Sequence, residues 1–520
     1  DDPDTLRTLK GMGFTRPEAV SAMVRRWHRG RLRATRSTRA QQILTGLMPD
    51  LLKAFAGTAN PDGALLKFNE FLANLPAGVQ LFSLFQAHPR LLDLVAEIMG
   101  TAPRLAAYLS RRAHLLDAVL GEGFFGPLPD RAALAAGLRG ELDYGHDFQD
   151  ILETAWRWSG DAKFQVSVQQ LQGLIDAESA SPRLTDIADI LVETILEAVW
   201  DELAQRSGRV PNAAFAVLGY GKLGSRSLTR GSDLDLVFVY QIEDPDSTSD
   251  GPRALAPQTY FTRLCQRLIT AITAQTSEGQ LYEVDIRLRP MGENGPLVSE
   301  VAAFERYYAE DAWTWELMAL TRARVVVAPT ELRRRLETLF RGALGRRRDP
   351  DRLVRDVAHM RRRIQAEHGT DQPWNIKHVR GGLIDIEFIA QYLQLREAAC
   401  HPEVLDPNTA RVLEKLSAAG ALTMNQAEIL IDAARVYHDV QAMMRLSLSG
   451  PLDETAAPEG LRQVMARAGG AVDFADLKTK LVDSQQVVLA CFEEIIERPA
   501  AAVPDQPASE DASNPHGQGN

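Results

Sequence analysis

Apolar and polar positions divide the chain into three regions of different periodicity. Up to about residue 200, apolar residues recur at helical spacing and almost no strand signal is present. A short central region then carries three strand candidates, at 214–218, 233–240 and 281–288. After about residue 335 the spacing is helical again. The pattern predicts a small sheet between two mainly helical parts.

Helical patterns also connect and surround the strand candidates. Four apolar residues before the third candidate form one stripe of an amphipathic helix: Phe261, Leu264, Leu268 and Ile272. Another helix is predicted to start at Ser299 and Glu300. The last residues are rich in Pro, Ala, Ser and Asp and offer almost nothing to bury. The predicted units are a helical region over 1–145, a sheet-containing domain with a helical lead-in over 146–335, a helical domain over 336–497 and a disordered tail over 498–520.

The second strand candidate carries two aspartates separated by one residue. Because side chains alternate along a strand, Asp233 and Asp235 are predicted to share a face with Val237 and Val239. The intervening residues face the other way: Leu234, Leu236, Phe238 and Tyr240. Two carboxylates about 7 Å apart along a strand suit divalent cations and a triphosphate. The pattern indicates a metal-dependent nucleotidyl transfer site.

The third strand candidate alternates between apolar and charged residues. The residues predicted to face away from the core are Glu283, Asp285, Arg287 and Arg289. A surface strand without any function shows the same pattern. Beside the Asp-x-Asp strand, however, Asp285 completes a set of three carboxylates that can hold two metal ions about 3.5–4 Å apart. Arg287 and Arg289 are then expected to supply positive charge to the triphosphate or to departing pyrophosphate.

A glycine-rich turn, GYGKLG at 219–224, lies between the first two strand candidates. It also matches the dinucleotide fingerprint G-x-G-x-x-G, which requires an acidic residue about 20 positions on, at the end of the next strand. Here the acids come 14 and 16 residues after Gly219, near the start of that strand, so this alternative is the weaker one. A P-loop fails because Leu223 stands where Ser or Thr is needed. Glycines let backbone N–H groups approach phosphate oxygens. The residues predicted to bind the nucleotide here are Gly221, Lys222, Gly224 and Ser232.

Two later segments carry weaker signals. Trp313 and Trp315 have a spacing that is more typical of core packing than of base stacking. Within 377–391, Asp385 and Glu387 follow a glycine pair at the start of a predicted helix. They either line a site or belong to a buried helix that packs on the sheet-containing domain.

Chain length, cysteine positions and net charge limit the number of domains, the cellular location and the possible partners. A chain of 520 residues suggests roughly three domains, and no apolar run approaches the roughly 18 residues that span a bilayer. Cys265, Cys400 and Cys491 lie far apart, which argues against disulfides and predicts a cytoplasmic protein. The net charge of −11 argues against broad affinity for nucleic acid. Because the first residue is Asp1 rather than Met, a fragment of a longer polypeptide is expected.

Four segments, in this order, resemble the glutamine synthetase adenylyltransferase family: GYGKLG…SDLDL, YEVDIRLRP…GPLV, EDAWTWELMALTRARVV and RGGLIDIEFIAQYL. The helical flanks are similar too. The resemblance implies an α+β multidomain protein, in which a polymerase-β-type nucleotidyltransferase domain (a small mixed sheet with helices) is flanked by mainly α-helical domains. In that family one long polypeptide carries two such domains. The N-terminal domain removes AMP from glutamine synthetase by phosphorolysis, and the C-terminal domain attaches it.

The chain has one Asp-x-Asp site and therefore resembles half of such a polypeptide. Tyr220, Glu283 and the AWTWE run at 312–316 are similar to the attaching, C-terminal domain. One departure is Ser225, which stands where the family usually has a second glycine after Gly224. A small residue at that position is expected to keep the turn.

The resemblance implies transfer of AMP from ATP to a tyrosine hydroxyl of glutamine synthetase, with release of pyrophosphate. Asp233, Asp235 and Asp285 would then ligate two Mg²⁺ ions, and Asp285 would also accept the proton. Regulation by the PII signal protein and by glutamine is implied as well, and no membrane or nucleic-acid partner is expected. The alternatives are the adenylyl-removing half of the same enzyme, a nucleotidyltransferase acting on RNA or a small molecule, and a non-catalytic nucleotide sensor.

Overall fold

The structure, a computed structural model, describes residues 2–58, 60–112, 115–121, 123–142, 147–275, 280–448 and 450–504. It is mainly helical and contains a small mixed sheet. The helices that precede the sheet are α1 (Pro3–Gly11), α2 (Pro17–His28), α3 (Thr38–Ala56), α4 (Pro61–Asn74), α5 (Val79–Ala87), α6 (Pro89–Thr101), α7 (Pro103–Arg111), α8 (Leu115–Val119), α9 (Arg131–Leu142), α10 (Phe148–Leu171) and α11 (Ala177–Ser207), with a 3-10 turn at Arg33–Thr35.

The N-terminal helices pack through their apolar faces, as their helical spacing predicts. Phe55, Phe68 and Phe85 are fully buried between α3, α4 and α5. Trp27 of α2 is buried beside them, and its indole N–H donates to Asn69 Oδ1 at 2.9 Å, which satisfies the polar atom of this large side chain. The two longest of these helices, α10 and α11, pack on each other and lead into the sheet.

In the described part of the chain the sheet has five strands: β1 (Ala214–Gly219), β2 (Leu234–Gln241), β3 (Val284–Asp285), β4 (Val298–Glu300) and β5 (Arg324–Val327). β1 runs antiparallel to β2 and β5. On its other edge β2 pairs in parallel with β3 at its first residues and with β4 further along. β3 therefore meets the beginning of β2, where Asp235 lies.

The two faces of β2 are those that the alternation predicts. Leu234, Leu236, Phe238 and Tyr240 are buried in one apolar cluster, which they share with α11 and α13 (Pro257–Thr273). Val237 and Val239 belong to the other cluster, on the opposite face. α13 is the predicted amphipathic helix, and all four residues of its predicted apolar stripe are buried. Both predictions are confirmed.

The third strand candidate is shorter than predicted. The pattern extends over 281–288, whereas only Val284–Asp285 pairs with β2. The chain leaves the sheet there because Arg287 turns back and donates its backbone N–H to Asp285 Oδ1 at 2.8 Å. Alternation along a sequence predicts which residues share a face, but it does not show where a neighbouring strand ends.

The helix predicted to start at Ser299 and Glu300 begins slightly later, because both residues belong to β4. Glu300 instead caps α14 (Val301–Glu310): its carboxylate accepts from the backbone N–H groups of Ala302 and Ala303. The remaining elements around the sheet are the single turn α12 (Gly221–Gly224), α15 (Thr314–Leu320) and a 3-10 turn at Gly292–Asn294.

The C-terminal part is helical, as predicted. Its helices are α16 (Thr330–Leu344), α17 (Pro350–His368), α18 (Leu383–Glu397), α19 (Thr409–Ala418), α20 (Met424–Ser447), α21 (Glu459–Ala468), α22 (Phe474–Phe492) and α23 (Arg498–Ala502), with a 3-10 turn at Pro402–Val404 and a π-helical segment at Glu493–Glu497. α20 packs against α7, α10 and α11, so the C-terminal helices contact the N-terminal ones directly.

The predicted disordered tail over 498–520 begins too early. Residues Arg498–Ala502 form α23, and Ala500 and Val503 pack against the core, so this stretch does have apolar surface to bury. The remainder of that prediction, from 505 on, lies outside the described residues.

Among the helices of the described ranges, none has the length and apolar character needed to cross a membrane.

Candidate active site

Three carboxylates meet at the start of β2. Asp233 directly precedes this strand, Asp235 is its second residue, and Asp285 belongs to β3. Parallel pairing places Asp235 opposite Asp285, so their side chains project from the same face. One oxygen from each of the three carboxylates lies within 4.8 Å of the others. The structure thus brings together the acids that the two alternating patterns single out.

The charges of these carboxylates act on one another. Burial, together with the charges of Asp233 and Asp285, raises the pKa of Asp235 to about 6. Burial also opposes ionisation of Asp285, but hydrogen bonds and the positive charge of Arg287 outweigh it and lower its pKa. A half-buried group of like charges with converging oxygens is the donor set that a hard divalent cation prefers. The three residues can therefore hold a metal ion.

The glycine turn is built against Asp235. The backbone N–H of Tyr220 donates to the carbonyl oxygen of Asp235 at 2.9 Å. Gly221 has a φ of +51°, and a Cβ atom there would lie 2.3 Å from Asp235 Oδ2. Both the left-handed backbone and the close approach require glycine at this position. Gly221 is thus directly adjacent to Asp235, with no side chain between the turn and this carboxylate.

Close packing against a backbone carbonyl requires glycine at position 224. A Cβ atom on it would lie 1.9 Å from the carbonyl oxygen of Arg322, so the turn packs against the chain that enters β5. The neighbouring Ser225 is buried; its hydroxyl donates to the carbonyl oxygen of Gly221 at 2.8 Å and accepts from Arg322 Nη2 at 2.9 Å. A serine in place of glycine therefore keeps the turn and attaches it to Arg322.

Lys222 belongs to the glycine turn, and its side chain contacts the C-terminal helices. Its Nζ donates to Gln441 Oε1 of α20 at 3.1 Å. Burial lowers the pKa of Lys222 to about 7, and the nearby cations Arg445, Lys377 and Arg322 act in the same direction, against Glu387. The ammonium group of Lys222 is thus held in place and is easily neutralised, because burial disfavours its charged form.

The other predicted nucleotide ligands have partners within the protein. Ser232 is buried, and its hydroxyl accepts from the backbone N–H of Thr229 at 3.1 Å, which shapes the loop before Asp233. Arg287 is exposed, and its guanidinium contacts both oxygens of Asp285, at 2.6–3.1 Å.

Arg289 contacts the loop after β3, and its charge also acts to lower the pKa of Asp285. Its guanidinium donates to three backbone carbonyl oxygens, those of Ile286 at 2.7 Å, Glu293 at 3.1 Å and Gly295 at 3.3 Å. In the structure this side chain holds the loop after β3, and its predicted contact with phosphates stays a prediction. The alternating pattern identified its face but not its partners.

Residues far away in sequence contribute to the site as well. Arg322 and Lys377 both act to lower the pKa of Asp235, and the charge of Asp233 acts on Arg445 of α20. Lys377 opens one of the two segments with weaker signals, whereas no sequence pattern pointed to Arg445. Glu387, from the same segment as Lys377, pairs with Arg322 at 2.8 Å.

Asp385 belongs to a buried structural pair rather than to the site. It is fully buried, as is its ion-pair partner Arg361, and it also accepts from the backbone N–H of Gly381 at 2.5 Å. Of the two acids singled out in this segment, one therefore anchors helix α18 and the other contacts the site through Arg322.

Two family models match the chain. Residues 92–338 match the glutamate-ammonia ligase adenylyltransferase model. This range includes the whole described sheet and the three carboxylates. Residues 354–496 match the GlnD PII-uridylyltransferase model, which corresponds to the C-terminal helices. The two matches divide the chain near the boundary between the sheet-containing part and the helices that follow it.

Curated relatives extend the similarity to nearly the whole chain. The chain is 41% identical over 501 residues to the bifunctional glutamine synthetase adenylyltransferase/adenylyl-removing enzyme of Xanthobacter autotrophicus, covering 96% of the chain and 51% of the relative. The enzyme of the same name from Mesorhizobium japonicum is 42% identical over 494 residues, 95% of the chain and 50% of the relative. The chain spans about half the length of these relatives. Over that half, the chain is similar to the bifunctional glutamine synthetase adenylyltransferase/adenylyl-removing enzymes.

Proposed function

We propose that the chain transfers AMP from ATP to a tyrosine hydroxyl of glutamine synthetase in the presence of Mg²⁺ and releases pyrophosphate. The observation that carries this proposal is the cluster of Asp233, Asp235 and Asp285 next to Gly221. The names of the curated relatives support the target and the transferred group. The mixed sheet, with its Asp-x-Asp strand after a glycine turn, supports a domain of the polymerase-β type.

The three carboxylates fit Mg²⁺, which binds oxygen ligands and takes few of them from the protein when phosphates supply the rest. When bound, such ions neutralise charge on the triphosphate and lower the pKa of the attacking hydroxyl. Asp233, Asp235 and Asp285 are the residues that would hold two of them. Asp285 is kept ionised by Arg287 and is therefore available to accept the proton of the tyrosine hydroxyl.

Gly221 and Lys222 serve the phosphates in this proposal. Gly221 leaves the space beside Asp235 free of a side chain, so that a phosphate oxygen can approach. Lys222 supplies a positive charge at the same turn, and its contact with Gln441 fixes the position of its ammonium group. Neither role occupies the carboxylates, which stay available for metal.

We further propose that the PII signal protein regulates this reaction. The match of residues 354–496 to a PII-uridylyltransferase model supports the C-terminal helices as the region that responds to PII. This part also supplies Lys377 and Arg445, whose charges act on the carboxylates, so a shift of these helices would change the site directly.

Mass spectrometry of glutamine synthetase after incubation with the chain, ATP and Mg²⁺ tests the proposal. The expected product is a subunit that carries one AMP on a tyrosine, and Asp233→Asn should abolish it. The matched control is Asp246→Asn, which changes an exposed aspartate in the loop after β2 and should retain transfer.

Two parallel reactions test the alternatives. One contains adenylylated glutamine synthetase with inorganic phosphate, and the other contains RNA with ATP. Removal of AMP in the first, or nucleotide addition in the second, without attachment to glutamine synthetase, would replace the proposal by one of these alternatives.

A further inference from the structure

A cavity of about 270 Å³ lies between α7, α20 and the segment before α18. Three basic side chains line it: Arg104 of α7, Lys377 of the segment and Arg445 of α20. Asn375 and Gln441 add polar groups, and none of the described residues around the cavity is acidic. In a chain whose net charge is −11, a cavity lined by cations alone among charged residues is a site for an anion.

The basic groups at this cavity act against one another. Burial lowers the pKa of Arg445; the charge of Asp233 opposes this effect and the charge of Arg104 adds to it. At the neighbouring turn, Arg445 and Lys377 both lower the pKa of Lys222. Cations held this close repel one another until an anion lies among them. The cluster therefore favours a ligand with several negative charges over one with a single charge.

The cavity adjoins the three carboxylates through Gly231, which lies two residues before Asp233. Arg445 Nη1 donates to the carbonyl oxygen of Gly231 at 3.3 Å. A Cβ atom on Gly231 would lie 2.8 Å from Arg104 Nη1, so this arginine approaches the same loop. Gln441, which lines the cavity, accepts from Lys222 of the glycine turn. An anion in the cavity is thus beside both the metal-binding carboxylates and the turn.

The two arginines after β3 already have partners within the protein. Arg289 is engaged by three backbone carbonyl oxygens, and Arg287 by the carboxylate of Asp285. The basic cavity lies instead on the side of α7 and α20.

We propose that Arg104, Lys377 and Arg445 bind the β- and γ-phosphates of ATP and then the pyrophosphate that leaves. This inference rests on the proposed function. In the transfer, the bond between the α-phosphorus and the oxygen bridging to the β-phosphate breaks, and its electron pair leaves with pyrophosphate. The tyrosine oxygen forms the new bond to the α-phosphorus, and its proton passes to Asp285. Since Arg104 belongs to the N-terminal helices and Arg445 to the C-terminal ones, bound phosphates connect both parts.

Binding measurements without glutamine synthetase test this site separately from the reaction. Isothermal titration calorimetry with Mg²⁺ compares pyrophosphate, the non-hydrolysable analogue α,β-methylene-ATP and AMP. We expect the affinity for pyrophosphate and for the analogue to fall about tenfold in each of three variants, Arg104→Gln, Lys377→Gln and Arg445→Gln, because each removes a charge-assisted contact. The affinity for AMP should stay unchanged. The matched controls are Arg111→Gln on α7 and Arg435→Gln on α20, which lie outside the cavity and should bind like the unmodified chain.

Competition between the ligands gives the second readout. Pyrophosphate and the analogue should exclude each other, because they share the cavity. Simultaneous binding of both, wild-type affinity for pyrophosphate in all three variants, or no binding of either ligand by the unmodified chain would overturn the inference. If pyrophosphate binding depends on the three residues but glutamine synthetase is not modified, the cavity assignment stands and the proposed function fails. Thermal unfolding of each variant checks that a weakened affinity is not a loss of fold.

Discussion

Arg322 and Glu387 form an ion pair, with Nη1 and Oε2 2.8 Å apart, that joins the chain just before β5 to helix α18. The other end of the same guanidinium donates to Ser225, whose hydroxyl donates to the carbonyl oxygen of Gly221. A continuous series of polar contacts therefore runs from the C-terminal helices to the turn beside Asp235. Through these contacts, the position of α18 affects the geometry of the carboxylate cluster.

Glu387→Gln is expected to lower the free energy of unfolding by about 1.5–3 kcal/mol, because it leaves the buried charge of Arg322 without an anionic partner. AMP transfer should fall as well, since the turn loses its attachment to α18. Urea unfolding followed by circular dichroism measures the first effect. The control is Glu337→Gln on the exposed side of α16, which should unfold like the unmodified chain. Equal stability of the two variants would show that the ion pair contributes nothing.

Gly221→Ala is expected to reduce AMP transfer by about a hundredfold, because a methyl group at a φ of +51° would displace Asp235 from the other two carboxylates. The measurement is the initial rate of adenylylation at saturating ATP. Gly342→Ala is the matched control, since it lies in α16 with open space around it, and it should leave the rate unchanged. An unchanged rate in Gly221→Ala would remove the glycine turn from the site.

The sequence alone predicted the part of the site that depends on local geometry. The period-two alternation placed Asp233 and Asp235 on one side at the start of β2, although Asp233 lies just before the strand, and the same rule selected Asp285 on β3. These predictions needed only the pleat of a strand, which every residue in it obeys.

The basic cavity could not be predicted in this way. Arg104 and Arg445 lie on helices from opposite ends of the chain, and helical spacing shows which face is buried but not which helices meet. The partners of Arg289 are unpredictable for a similar reason: its face follows from the alternation, but its contacts with the carbonyl oxygens of Glu293 and Gly295 depend on the path of a loop. Tertiary packing, rather than local pattern, determines the partners of these long side chains.

Arg361→Leu is expected to destabilise the chain strongly, by about 3–5 kcal/mol, because it removes the fully buried counter-charge of Asp385 and leaves only Arg380, whose Nε lies 3.6 Å from Oδ2. Arg361→Leu combined with Asp385→Leu should recover part of this loss, since no charge is then left buried. Denaturant unfolding of the single and double variants measures both effects. A double variant less stable than the single one would contradict this account of the pair.

Asp235→Asn is expected to stabilise the chain at pH 8 in the absence of divalent ions. In the folded chain the pKa of Asp235 is about 6, above the value of about 3.9 in an unfolded chain, so the folded state binds this proton more tightly. Ionisation therefore lowers stability as the pH rises from about 4 to about 6. Thermal unfolding with a chelator should show a higher midpoint for the variant at pH 8 and a difference that narrows towards pH 4. If the difference between the two unfolding midpoints stayed constant from pH 4 to pH 8, the ionisation of Asp235 would not be its cause.

Mg²⁺ is expected to raise the thermal unfolding midpoint of the unmodified chain, because it neutralises three carboxylates whose oxygens lie within 4.8 Å of one another. At a hundredfold excess over its dissociation constant, a ligand that binds only the folded state stabilises it by about 2.7 kcal/mol. Asp233→Asn and Asp285→Asn should each lose most of this shift, and chelation should reverse it in the unmodified chain. Asp246→Asn, outside the cluster, should keep the full shift. Since the Asp233→Asn and Asp285→Asn variants retain every other acidic residue, an undiminished shift in both would place the stabilising ion elsewhere on the surface.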